Sequence, residues 1–283
     1  MPFTSIARVI RETFRSTRQR IGGGGNGEVY RRRTPLGRQT AIKEPHAYQG
    51  PDGRRSIENE TVTLRDLARP GHPGIEEYRG HGKEYSYLEV EFIEGVTLRE
   101  YFSRLIPAAR LAQALPVFRE VVSTVAYIHD RGYVHNDLNW NNVLKTKAGI
   151  KIIDFAFSRP EAIWLEIENS DPEKLKITGT LSYISPLRIH DKRPPLREDD
   201  IFALGLMLVE MLTGKKAIKL DSQPYAEQIM PLHNDLRRRI LALDVPEPII
   251  DLIFRMLGLF GDVQYRNCYE ILAALDEIEG SES

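Results

Sequence analysis

The sequence predicts an α+β chain of two lobes: a small antiparallel β-sheet lobe with one helix, then a larger, mainly helical lobe. Three observations carry this. Residues up to Gly95 read as short β-branched and aromatic runs punctuated by glycines. Beyond Gly95 the apolar residues recur at helical spacing. Within that second part "DDIFALGLMLVEMLTG", Asp199 to Gly214, is apolar almost all round, the pattern of a helix buried at the centre of a lobe. The expected division is residues 1–94 and residues 95–283.

In chain order, "RIGGGGNGEVYRRR" from Arg20 and "RQTAIKEP" from Arg38 are expected strands, and "YSYLEVEFIEG" from Tyr85 is another. One helix interrupts them around "SIENETVTLRDLA", with Ile57, Leu64 and Leu67 spaced for a buried face. "TLREYFSRL" opens with Thr97 and, three residues on, Glu100, a capping-box signature. "LPVFREVVSTVAYIHDRG" sets Phe118, Val121, Val122, Val125 and Ile128 on one helical face and stops at Gly132. The basic "YRRR" of Tyr30 to Arg33 is expected to be an exposed strand end.

Composition bounds the function. With 283 residues, 41% hydrophobic and 28% charged, the chain has the make-up of a soluble globular protein with a real core. A formal net charge of -1 gives no electrostatic reason to expect nucleic acid or an anionic membrane as partner. The single Cys268 excludes an internal disulfide framework and suits a reducing, cytoplasmic compartment, where it is expected to be a small buried hydrophobe. The first twenty or so residues lack the apolar core of a signal peptide and are expected to be a solvated flank. The longest apolar run, "IFALGLMLVEML", is interrupted by Glu210 and is too short to span a bilayer.

Two features carry chemistry. "IGGGGNGEVY" holds Gly22, Gly24 and Gly27 in G-x-G-x-x-G spacing, which lets backbone amides approach a phosphate. A dinucleotide fingerprint would need a helix directly after it, and "EVYRRR" continues as a strand instead, which leaves a phosphate-covering loop or a plain hairpin turn. Lys43 follows Gly27 by sixteen residues, flanked by Ala41 and Ile42 in a strand. A lysine turned inward there requires an anion. Glu60 is the candidate: Leu64 and Leu67, four and seven residues on, set it at the inner edge of its helix, ahead of the rival Glu58. The second feature is "HNDLNWNN", His135 to Asn142, with one His, one Asp and four Asn in eight residues.

From Ile21 to about Leu272 the chain resembles the eukaryotic-type protein kinase family. "HNDLNWNN" resembles its H-R-D-x-x-x-x-N loop, "DFA" from Asp154 its D-F-G, "GTLSYISP" from Gly179 its G-T-x-x-Y-x-[AS]-P, and "DDIFALG" its D-x-W-[AS]-x-G. The resemblance implies a nucleotide-binding first lobe and a catalytic second lobe within one kinase domain, using ATP and Mg²⁺, with Mn²⁺ as a permitted substitute. It also implies roles. Asp137 receives the acceptor hydroxyl's proton, Asn142 and Asp154 hold the metal, and Lys43, held by Glu60, steadies the α- and β-phosphates. Gly22, Gly24 and Gly27 cover the phosphates, and Val29, Ala41 and Leu144 sandwich adenine. Val90 is the gatekeeper, and the backbone of Glu91 to Ile93 faces the adenine edge. Asp200 braces the catalytic loop, or is a plain helix N-cap, or both. Phe155, His135 and Leu64 belong to an apolar stack.

The chain departs from the family at four places: Asn136 for Arg, Asn139 for Lys, Ala156 for Gly, and Leu187 for the Glu of A-P-E. Loss of the Arg implies that a phosphorylated activation segment is not the switch relied on. Thr178 and Ser182 are nevertheless candidate autophosphorylation sites. Ala156 implies a stiffer loop with the metal-binding Asp retained. Arg266 matches the residue that would pair with the missing Glu, and its partner is left open. The acidic "EIENSDPEKLK" from Glu166 is expected to be a solvated, mobile loop.

Thr180 matches the threonine that touches the catalytic Asp in Ser/Thr kinases, so phosphorylation of protein Ser/Thr is the expected activity. Two alternatives remain: a small-molecule kinase of the aminoglycoside or choline type, which shares H-x-D-x-x-x-x-N, and a nucleotide-binding pseudokinase scaffold. The protein-kinase segments "GTLSYISP" and "DDIFALG" argue against the first, and the retained Lys43, Asp137 and Asp154 argue against the second. Substrate identity and oligomeric state are left open. A bare catalytic domain with these variants suits a cytoplasmic kinase or a bacterial effector acting in host cytosol.

Overall fold

A computed structural model describes residues 18–24, 27–33, 37–170, 178–220, 234–258 and 263–281. The chain forms two compact units, one of Met1–Pro70 with Glu76–Glu94 and one of Gly71–Ile75 with Gly95–Ser283.

The first unit is a five-stranded antiparallel sheet with one long helix. Its strands are β1 (Arg18–Gly24), β2 (Gly27–Arg33), β3 (Gln39–Glu44), β4 (Tyr78–His81) and β5 (Leu88–Glu91), in the order β1-β2-β3-β5-β4. The glycine-rich stretch is a hairpin in which Gly24 faces Gly27. Glycine is required at Gly27: its φ is +146°, and a Cβ there would lie 2.1 Å from the Glu44 carbonyl oxygen. Ala41, Ile42, Leu88 and Val90 are buried on the sheet. Helix α1 (Gly50–Leu67) buries Ile57, Glu60, Leu64 and Leu67 on one stripe, while Glu58 is exposed. It begins six residues before the expected stretch because Pro51 presets the helical φ of its first turn.

Of the "YRRR" segment only Arg33, the last residue of β2, is an exposed strand end. Tyr30, Arg31 and Arg32 are half-buried, since Arg32 pairs with Glu89 across the sheet and Arg31 lies over the Phe92 ring at 4.7 Å. Aliphatic stems cover the sheet while the guanidinium groups find a carboxylate and a π-face.

The second unit is mainly helical: α2 (Leu98–Arg104), α3 (Pro107–Asp130), α4 (Glu161–Ser170), α5 (Pro186–His190), α6 (Arg197–Thr213), α7 (Glu247–Leu257) and α8 (Cys268–Ser281). Thr97 caps α2 by accepting from the Glu100 N–H at 3.1 Å. Every residue of α6 from Asp199 to Leu212 is buried, the charged Asp199, Asp200 and Glu210 along with the apolar residues. Three short strands, β6 (Gly95–Thr97), β8 (Val143–Thr146) and β9 (Gly149–Ile152), form one small sheet, and β7 (Tyr133–Val134) pairs with β10 (Arg159–Pro160). The Ile152 N–H donates to the Gly74 carbonyl at 2.7 Å, which ties residues 71–75 to this unit.

Part of the acidic run expected as a loop is instead helix α4, and 171–177 lie outside the described residues, as does the flank 1–17. Trp164 is buried at its centre and supplies the apolar anchor that a solvated loop lacks. Cys268 is buried, and burial pushes its thiol far above the usual range. No helix among the described residues is long and apolar enough to cross a membrane.

Candidate functional site

In the first unit the implied phosphate-binding residues lie on adjoining strands. Gly22 and Gly24 are on β1, Gly27 and Val29 on β2, and Ala41 and Lys43 on β3, where Lys43 faces Val29 in register. Ala41 pairs with Val90 of β5, and Glu91 closes that strand, two residues before Ile93. The Glu91 N–H donates to the Glu77 carbonyl at 2.9 Å, so a ligand contact by its backbone has to use the carbonyl.

Lys43 Nζ is bonded to Glu60 on α1 at 2.5 Å. A second carboxylate, Glu76, lies 2.8 Å from the same ammonium. Both acids are buried. Nothing in the sequence reading pointed to Glu76. It precedes a strand with no periodic apolar neighbours, and only the fold of the chain brings it to a lysine 33 residues away.

In the second unit the loop between β7 and β8 carries Asp137 and Asn142. The Asp137 carboxylate is held from both sides. Its Oδ1 accepts from the Thr180 N–H and the Thr180 hydroxyl, each at 2.7 Å, and its Oδ2 accepts from Asn142 Nδ2 at 2.9 Å. Asn139 and Asn142 also donate to the Asp137 carbonyl, at 3.0 and 2.9 Å. Two asparagines, Asn139 and Asn142, thus supply Asp137 with neutral donors that a lysine or arginine would replace with charge. Gly179 lets Thr180 come this close, since a Cβ there would lie 2.5 Å from the Asn136 carbonyl oxygen.

Burial raises the Asp137 carboxyl above its ordinary value; the Thr180 hydrogen bonds pull it back and the Asp154 charge pushes it up again. The segments that carry Asn142 and Asp154 adjoin: the β8–β9 hairpin pairs Val143 with Ile152, and the Ile153 N–H donates to the Asn142 carbonyl at 2.9 Å. Among the described residues no donor meets Asn142 Oδ1. Leu144 follows on β8, half-buried. Asn136 and Asp154 take left-handed backbone conformations, φ 64° and 66°, which Asn and Asp tolerate better than most residues. Phe155 and His135 are fully buried with ring centroids 4.8 Å apart.

Asp200 braces the loop: its carboxylate accepts from the His135 and Asn136 N–H groups at 2.8 and 2.9 Å, and from His129 at 2.9 Å. Burial works to raise this carboxyl, but the hydrogen bonds and charge of His129 and His135 outweigh it and hold it below the ordinary range. The alternative, an N-cap at Asp200, is corrected. The helix starts at Arg197, and Asp199 accepts from the Leu196 N–H at 2.8 Å, so the capping carboxylate is one residue earlier.

Asp199 also takes Ser185 Oγ and a two-pronged contact from Arg193 at 2.7 and 3.1 Å. It anchors the segment from which the Glu of A-P-E is missing. Arg266 is exposed, and among the described residues its guanidinium has no ion pair. Asn136, in place of the family's Arg, donates to Thr178 Oγ1 at 3.0 Å and accepts from the buried Arg188 at 2.6 Å. Ser182 is buried and so is closed to modification, unlike the half-buried Thr178.

The protein kinase domain family matches residues 15–260. Among curated proteins, the chain is 28% identical to the probable serine/threonine-protein kinase PknB of Lactococcus lactis, over 77% of this chain and 34% of that protein. It is 30% identical to the serine/threonine-protein kinase PrkC of Bacillus subtilis, over 69% of this chain and 30% of that protein. For the serine/threonine-protein kinase PknD of Chlamydia pneumoniae the figures are 29%, 89% and 29%. The chain matches only about a third of each relative's length. With the five-stranded sheet, its helix and the helical unit that follows, this match establishes that the chain belongs to the protein kinase domain family.

Proposed function

We propose that this chain is a protein Ser/Thr kinase, an atypical member of its family with His-Asn-Asp and Asp-Phe-Ala in place of the usual motifs. The observation behind this reading is the Asp137–Thr180 pair, in which both the backbone and the hydroxyl of Thr180 orient one carboxylate oxygen. A carboxylate so oriented, with its basicity raised by burial, suits the task of receiving the proton of a Ser or Thr hydroxyl.

Family membership implies ATP and a divalent metal. Asn142 Oδ1 and the Asp154 carboxylate are hard oxygen donors on neighbouring chain segments, which fits a cation that prefers oxygen and completes its shell with water and phosphate, Mg²⁺ first and Mn²⁺ as substitute. When bound, Mg·ATP supplies the transferable γ-phosphoryl group and neutralises its developing charge. Lys43 orients the α- and β-phosphates, with Glu60 fixing its ammonium. The amides of the Gly22, Gly24 and Gly27 hairpin cover the phosphates. Val29, Ala41 and Leu144 flank the base, and Glu91 and Ile93 present backbone to its edge. Asp200 keeps the loop's N–H groups in place and touches no reactant.

The acceptor is a protein, in keeping with the relatives' names. A cytoplasmic setting accords with the single buried cysteine. The test is transfer of labelled γ-phosphate from Mg·ATP to the protein itself and to generic Ser/Thr substrates, with Asp137→Ala and Lys43→Ala run alongside. Incorporation abolished by both substitutions supports the reading. No incorporation, with Mg·ATP still raising the melting temperature, contradicts it and favours a nucleotide-binding scaffold.

A further inference from the structure

Arg188 is buried, and the roles above give its charge no task. A guanidinium out of water is costly unless a specific partner meets it. The start of α5 places it: the Ser185 hydroxyl accepts from the Arg188 N–H at 3.2 Å and itself donates to Asp199. Burial works against the Arg188 charge, while the Asp199 and Asp200 carboxylates favour it.

Arg188 Nη1 donates to Asn136 Oδ1 at 2.6 Å. A guanidinium has donors only, so the amide has to turn its oxygen to Arg188 and its nitrogen away from it. On that other side Nδ2 donates to the Phe157 carbonyl at 3.3 Å and to Thr178 Oγ1 at 3.0 Å. With the amide reversed, oxygen would face the Phe157 carbonyl and the bond to it would be lost. One arginine thus sets the direction of an amide that joins three stretches of chain.

Those stretches flank the Asp137–Thr180 pair. Asn136 directly precedes Asp137. Thr178 stands two residues before Thr180, whose N–H and hydroxyl both reach Asp137 Oδ1 at 2.7 Å. Between Thr178 and Thr180, Gly179 packs against the Asn136 backbone, where a Cβ would lie 2.5 Å from the carbonyl oxygen.

We infer that Arg188 is a positioning residue: through the Asn136 amide and the Thr178 hydroxyl it holds Thr180 on Asp137, with no phosphate needed on Thr178. This rests on the reading that Asp137 receives the acceptor's proton. Arg188 touches no reactant. Its bond to a neutral amide forms as the chain folds, so the brace needs no activating event.

The experiment uses phosphatase-treated protein, with Thr178 shown by mass spectrometry to be unmodified. Arg188→Met, Thr178→Val and their double variant are compared with wild type in γ-phosphate transfer from Mg·ATP. Arg188→Gln, too short to reach Asn136, is run beside Arg188→Met in case the apolar variant folds poorly. Each single variant should lower kcat about tenfold, with the KM for ATP within about twofold of wild type. The double variant should fall no further than the weaker single, because both substitutions cut one chain of bonds. Thr178→Ser keeps the hydroxyl and should stay close to wild type. Losses that multiply in the double variant, a fully active Thr178→Val, or a wild type that works only once Thr178 carries phosphate would each overturn the inference.

Amide hydrogen exchange reads the brace without any turnover. The Thr180 N–H should exchange about tenfold faster in Arg188→Met, Arg188→Gln and Thr178→Val, with the α6 amides beyond Leu204 unchanged. Unchanged exchange at Thr180 overturns the inference whatever the activity. Faster exchange in a protein whose wild type transfers no phosphate means that the kinase reading has failed. The brace then stands as structure alone, and the catalytic part of the inference is overturned with the reading beneath it.

Discussion

Asp137 in the catalytic loop and Asp200 at the start of α6 are both buried aspartates, and the surrounding protein moves them in opposite directions. Asp200 accepts two backbone N–H groups and a histidine, which hold its carboxyl below the ordinary range. Asp137 accepts from Thr180 and Asn142, yet burial and the nearby Asp154 leave it raised. Two carboxylates whose environments push them apart divide the work between them. One is held as an anion that shapes a loop, and the other keeps a raised basicity, which on the proposed function serves to take a proton. The difference lies in what surrounds each group, since the residue type and the degree of burial are nearly the same.

The largest effect expected is on Asp137. Replacing it with Asn keeps its shape and removes its basicity, so phosphoryl transfer falls by about 10³-fold while the melting temperature hardly moves. An Asp137→Asn protein that transfers phosphate at a tenth of the normal rate would blur the distinction between the two aspartates.

Asp200→Ala is the complementary case. It leaves the His135 and Asn136 N–H groups buried without an acceptor, and chemical denaturation should register a loss of about 3–4 kcal/mol. A variant as stable as wild type would mean that the brace is dispensable.

A third carboxylate extends the series. Burial lifts the Glu210 carboxyl to about 7, against hydrogen bonds from Tyr183 and the Ala217 N–H that pull it down. The folded protein therefore holds a proton there that the unfolded chain releases near an ordinary Glu value. Stability should fall as pH rises from that value to about 7 and level off beyond it. Glu210→Gln should flatten this slope, on the order of 3 kcal/mol across the window, as read from melting at a series of pH values. An unchanged slope would assign the dependence to another group.

The smallest effect is the most local. Thr180→Val removes the hydroxyl that pulls the Asp137 carboxyl down but keeps the N–H. The acid limb of the kcat profile should shift to higher pH, and kcat should drop about tenfold from loss of one charge-assisted hydrogen bond. A shift to lower pH would contradict the sign of the argument.

Much of this was legible in the sequence because the catalytic loop is local. Asp137 and Asn142 lie within eight residues of His135, and Asn139 and Asn142 of the same stretch are themselves the donors to Asp137. The two-lobe division, the buried α6 and the choice of Glu60 over Glu58 followed from periodicity, which reports burial directly. What escaped was tertiary or turned on one residue. Glu76 reaches Lys43 only through the fold of the strand unit. Asp199 and Asp200 are adjacent and identical in type, and only the true start of the helix decides which one caps it. Arg188 meets Asn136 from 52 residues away, a pairing that no local pattern encodes.

The most direct test of the account is the chemical identity of the phosphorylated residue. The protein is incubated with γ-labelled Mg·ATP and a mixed Ser/Thr/Tyr peptide library, and the products are hydrolysed and separated as phosphoamino acids, with Asp137→Asn as control. The account predicts label in phosphoserine and phosphothreonine, lost in the control. Label in phosphotyrosine alone, or label on Ser and Thr that survives Asp137→Asn, would contradict it.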